Sequence, residues 1–142
     1  MHIPDNIIGS VVKEGEKYFF SSDCPVGVKE HIHICIKHHG KVLLFSTCSS
    51  QTDTAFRLAK LKGIDINTFP IFAKNDINKF TKEQTYVNCN NIIEITEREF
   101  GRLISEGKVW RIDGYIDEFG IQLIAQGVKL SPEVERRIKD LF

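Results

Sequence analysis

The chain has 142 residues, enough for one self-sufficient core and too few for two. Its 19 basic and 19 acidic side chains cancel, which excludes a whole-molecule attraction for nucleic acid or an anionic surface and leaves that work to local patches. With 42% hydrophobic residues, no apolar run near the ~20 residues of a membrane span, and no CxxC pair among Cys24, Cys35, Cys48 and Cys89, the expected setting is a reduced cytoplasm without membrane attachment.

Residues 7–13 and 17–21 are rich in β-branched and aromatic side chains, and Glu14-Gly15-Glu16 between them predicts the turn of a first hairpin. Pro25 and Gly27 break any strand over 22–29 and predict a loop. The stretch 28–51, VKEHIHICIKHHGKVLLFSTCSSQ, predicts a second hairpin on which the rest of the fold is built. Along its first arm Ile32, Ile34 and Ile36 alternate with His31, His33 and Cys35, so one face is expected to be apolar and the other chemically active. Gly40 supplies the turn, and the apolar return arm 42–45 ends in Ser46, Thr47, Cys48, Ser49 and Ser50.

Helix formers fill 52–62, and Gly63 stops them. Strands are predicted over 69–72 and 84–89, with a polar turn region 74–82 between them and further β character at Ile92, Ile93 and Ile95. Thr96 and Glu99 form a capping box that predicts a helix from Glu97 to about Glu106, closed by Gly107. Beyond the tryptophan-bearing segment 109–112, Asp117 predicts a capped helix turning Phe119, Leu123, Ile124 and Val128 inward. Ser131-Pro132-Glu133 predicts the start of a last helix, whose Lys129, Arg136, Arg137 and Lys139 alternate with Glu133, Glu135 and Asp140 as a solvated face. The expected architecture is α+β in a single domain spanning 1–142. A small curved antiparallel barrel of roughly five to seven strands occupies about 5–95, and C-terminal helices over about 96–142 cover one side.

His31 and His33 have the spacing that sets two imidazoles on one side of a strand, a geometry that serves acid–base pairs, metal sites with Cys35 or Cys48 as a further ligand, and ordinary surface strands alike. His38 and His39 fall at the turn and read as surface. Thr47, Cys48 and Ser49 could orient a phosphate, and Lys29 could neutralise it. A cysteine thiolate paired with either histidine is a further option.

The order of these features resembles the MazF/PemK growth-inhibitor toxin family, small barrels of SH3-like shape. The resemblance lies in a basic residue opening a strand, an apolar strand, a turn, a second apolar strand ending in a hydroxyl pair, and a later strand at Gln84-Thr85-Tyr86-Val87-Asn88-Cys89. Lys29-Glu30 stands where the family has a catalytic Arg-Pro, and Ser46-Thr47 or Thr47-Cys48 where it has Thr-Ser. The resemblance implies a toxin of a toxin–antitoxin pair that cleaves single-stranded RNA without metal or cofactor, is neutralised by a cognate antitoxin, and works as a homodimer. Lysine lacks the bidentate fork of arginine, so His31 and His33 would act as general base and acid, with Lys29 stabilising the phosphorane. Lys29, His31, His33 and Thr47 are therefore the catalytic candidates; Ser46, Cys48 and Ser49 are the substrate-binding ones. A non-catalytic barrel that binds protein or RNA, and a protein binding metal through histidine and cysteine, remain as alternatives.

Overall fold

The computed structural model describes residues 3–20 and 31–142. Six strands, β1 (Glu16–Phe20), β2 (His31–His39), β3 (Val42–Ser49), β4 (Ile71–Ala73), β5 (Gln84–Thr96) and β6 (Trp110–Tyr115), form one sheet in the order β4-β5-β3-β2-β1-β6. Every pairing is antiparallel, and the sheet curls into a half-barrel. The central hairpin turns at Gly40, whose φ of +58° suits a residue without Cβ. A bulge between Cys35 and Lys37 and another irregularity between Ser46 and Cys48 bend the central strands, as curling requires.

The two ends of the sheet meet through a turn instead of a ladder. Asn75 Oδ1 accepts from the backbone N–H groups of Ile77 and Asn78, folding 75–79 tightly. The Ile77 carbonyl then accepts from Tyr115 N at 3.1 Å, joining the turn to β6. Gly114, at φ +91°, permits this approach, since a Cβ there would lie 2.4 Å from the Asn78 carbonyl oxygen.

Helices cover both faces. The helix α1 (Asp5–Ser10) crosses α3 (Glu97–Ser105), α2 (Thr52–Lys62) packs on β5, and α4 (Glu118–Leu130) precedes the short α5 (Arg136–Lys139). One core holds Ile34, Leu44 and Val87 of the sheet with Ile124 and Val128 of α4. The other, on the opposite face, is aromatic: Tyr18, Phe20 and Phe45 meet Phe100 of α3 edge-on or tilted, with centroids 4.8–5.8 Å from its own. Where α1 meets α3, Gly9 and Gly101 remove the side chains: a Cβ on either would sit within 2 Å of a carbonyl oxygen of the other helix.

The expected α2 is found over Thr52–Lys62, ended by Gly63 at φ +63°. Thr96 Oγ1 accepts from Glu99 N and Asp117 Oδ1 from Gly120 N, so the hydroxyl half of the capping box and the aspartate cap form, while the Glu99 carboxylate accepts from Arg102 instead of completing the box. Other expectations fail for identifiable reasons. Residues 7–13 are not a strand: their first half lies in α1, held against α3 where Gly9 meets Glu97, a contact 88 residues distant that no local pattern reveals. Phe119 faces outward at 70% exposure, because Gly120, Ile124 and Val128 define the buried side of α4. The last helix starts at Arg136, since Ser131 Oγ is drawn to Asn90 Oδ1 at 2.6 Å and caps only a turn by accepting from Glu133 N. The sheet also reaches into the stretch expected to be helical, because β6 pairs with β1. His38 is no surface residue: it bridges Val12 and Glu97.

Candidate ligand groove

The register of β1, β2 and β3 decides what each predicted residue can do. Tyr18, His33 and Thr47 lie side by side on one face, and Lys17, Ile34 and Ser46 on the other. The alternation along β2 therefore separates two buried faces, not a buried face from a reactive one. Cys35 is wholly enclosed in the aromatic core, where burial pushes its thiol far above the ordinary range.

His33 is wholly enclosed as well. Its ring stacks on Phe20 with centroids 3.8 Å apart and planes 15° from parallel. Nδ1 faces the His31 carbonyl at 2.9 Å and so carries the proton, leaving Nε2 as an acceptor with no partner among the described residues. Burial lowers its pKa from 6.5 to about 4, which fixes the ring neutral at physiological pH. Thr47 stands beside it, partly exposed, on the face away from Ser46 and Cys48.

Ser46 is buried, its Oγ 3.5 Å from the Asn91 carbonyl. Cys48 is also buried, donates to the Ile32 carbonyl, and has its pKa pushed up to about 12 by loss of solvent, so it is a thiol and not a thiolate. Lys29 lies outside the described residues. Among the described residues no three His, Cys, Asp or Glu side chains converge in a way that could hold a metal ion.

Three of the predicted residues nonetheless share a groove of about 360 Å³ at one mouth of the half-barrel. His31 and Ser49 border it from strand ends, and Cys48 lies in its wall. The remaining lining was not anticipated. Phe19 and Ile32 form an apolar side, and the exposed indole of Trp110 lies 5.0 Å from the Phe19 ring, extending the aromatic surface. Lys79, the last residue of the closing turn, and Lys82 just beyond it form a further rim with Thr81 and Thr85. Lys17 lies at the floor: it is 1% exposed, donates from Nζ to the Asn78 carbonyl at 2.6 Å, and stands 4.7 Å from the centre of the Phe80 ring. Burial lowers its pKa.

The groove is thus lined by three lysines and, among the described residues, no carboxylate. Lys79 is the one whose charge is visibly shared, with Asp113 at 3.0 Å on the outer surface. A larger cleft of about 790 Å³ lies elsewhere, but Glu14, Glu16, Asp117 and Glu118 outnumber Lys13 and Arg111 in its walls. Volume favours that cleft; charge favours the groove as the place for an anion. Sequence reasoning missed Lys17, because a lysine between Glu16 and Tyr18 carries no local mark of burial, whereas Phe19 and Trp110 were visible as aromatics without a place.

No family model matches the chain, and no curated protein matches it.

Proposed function

We propose that the protein is a MazF/PemK-like toxin that works on single-stranded RNA held in this groove, its half-barrel being a variant of the SH3-like barrel of that family. The observation that carries the reading is the composition of the groove: Phe19, with the Trp110 ring beside it outside the lining, together with three lysines, in a chain of zero net charge. Exposed rings offer stacking platforms to unpaired bases and the ammonium groups follow the backbone, which is how sequence-tolerant single-strand sites are built. Ser49, Thr81 and Thr85 add hydroxyls that can donate to phosphate or ribose oxygens.

For cleavage, His31 is the histidine at the groove and would take the 2′-hydroxyl proton as the 2′-oxygen bonds to phosphorus, the P–O5′ bond breaks and the leaving 5′-oxygen takes a proton from solvent, with the resemblance assigning charge stabilisation to Lys29. Metal is not required for this chemistry, the product being a cyclic phosphate formed by the 2′-oxygen. A cognate antitoxin and a homodimeric, cytoplasmic state belong to the same proposal. One observation favours a second reading, a barrel that binds RNA without cutting it: His33, the other half of the expected acid–base pair, is enclosed on the opposite face.

Induced expression in a bacterial host, with and without the adjacent small gene, tests the proposal. The toxin reading expects growth arrest, RNA with new 5′-hydroxyl ends, and rescue by the neighbour. Binding of RNA with normal growth and intact transcripts would leave the second reading, and absence of both would remove the RNA assignment.

A further inference from the structure

The groove contains a charge that no carboxylate among the described residues balances. Lys17 is almost wholly removed from water, and an ammonium in that position ordinarily sits against a carboxylate or loses its proton. Here its neighbours are a carbonyl oxygen and an aromatic face, both able to hold a cation and neither able to cancel it. No carboxylate pairs with it among the described residues; Asp113, whose charge acts on it from a distance, is engaged by Lys79 at the surface.

We propose that Lys17 is the internal counter-ion of the groove: from beneath the floor it draws a phosphodiester of the bound strand inward, and by its bond to Asn78 it holds the turn that carries Lys79 and Lys82. The chemical class recognised is a phosphate diester or an equivalent polyphosphate anion. The claim rests on the reading of the groove as an RNA site for the identity of the ligand, but on the lysine alone for its charge.

The geometry assigns each part. Lys17 pairs across the strands with Ile34 and Ile112, so its stem starts within the sheet, and its head reaches the Asn78 carbonyl and the Phe80 ring in the lining of the groove. A charge beneath a low-dielectric wall is little screened by salt, unlike Lys82 at the exposed rim. Lys17 therefore adds depth to the attraction, and Asn78 makes the rim's position depend on it. It is a positioning and electrostatic residue, and no proton transfer is assigned to it.

The test uses the full chain with a fluorescent oligouridylate and with inorganic pyrophosphate. Lys17→Met is expected to weaken oligonucleotide binding about tenfold or more at low and at high salt alike, whereas the loss from Lys82→Met should shrink as salt rises. Unchanged affinity for Lys17→Met would overturn the proposal. Should Lys17→Met fail to fold, the wild-type protein answers: the ¹⁵Nζ signal of Lys17 is expected to shift on adding either anion, while that of the remote Lys60 does not. Pyrophosphate binding with a shifted Lys17 signal and no RNA binding would uphold the anion site and reject the RNA reading. RNA binding with an unmoved Lys17 signal would do the reverse.

Discussion

His38 Nε2 and Glu97 Oε2 stand 2.6 Å apart and fasten the end of β2 to the first residue of α3. The other ring nitrogen is 2.7 Å from the Val12 carbonyl, so the ring ties β2 and α3 to the segment between α1 and β1. Both side chains are mostly shielded, and pairs of this kind couple more strongly than surface ones. A double-mutant cycle with His38→Ala and Glu97→Ala is expected to give a coupling of about 1–2 kcal/mol in denaturant unfolding. Additive single effects would contradict the bridge.

His33 makes stability depend on acid. Its pKa is lowered from 6.5 to about 4 in the fold, so the unfolded chain takes up this proton first as pH falls. The stabilisation is complete above pH 6.5 and is lost as pH drops towards about 4, a change on the order of 3 kcal/mol. His33→Phe would keep the stack on Phe20 and remove the unpartnered nitrogen. That variant should lose less stability than wild type over the same interval, and identical pH profiles would show that His33 does not titrate as a buried ring.

The crossing of α1 and α3 should tolerate no side chain at its centre. A Cβ on Gly101 would fall 1.8 Å from the Asp5 carbonyl, a backbone atom that cannot swing aside. Gly101→Ala is therefore expected to cost about 2 kcal/mol or more despite the better helix propensity of alanine. Thermal unfolding reads this directly, and an unchanged midpoint would mean that the helices separate readily.

Reversal of the rim charges separates the groove from the rest of the surface. Lys79→Glu with Lys82→Glu should reduce oligonucleotide affinity by about tenfold or more at moderate salt. Arg136→Glu, on an exposed face of α5 and paired with Asp140, changes overall charge in the same sense and should leave affinity within about twofold. Equal losses from rim and α5 would indicate attraction without a site.

The thiols give an independent check on the two cores. Cys35, Cys48 and Cys89 are buried, and Cys48 and Cys89 have pKa values near 12 because burial disfavours the thiolate. In the native protein these three should resist an aromatic disulfide reagent at about pH 8 and react together on unfolding. Rapid native reaction at Cys48 would mean that the groove wall opens.

Capping and turn chemistry made much of this fold readable from the chain. Gly63, Thr96 and Asp117 act within a few residues of themselves, so their patterns are visible locally. The candidate site was less legible, because each face of β2 is covered by a partner far away in sequence: Phe100 of α3 on one side and Ile124 of α4 on the other. Alternation in a strand covered on both faces cannot tell solvent from core, which is why His33 and Cys35 read as reactive. His31 and Ser49 keep their place because strand ends are where a sheet releases its side chains.

The turn at 75–79 both closes the half-barrel on Tyr115 and, through Lys79, begins one rim of the groove. The amides there should consequently be among the first of the sheet to exchange with deuterated solvent, and an anion filling the groove should slow them, so that occupancy is felt as tightening of the ring.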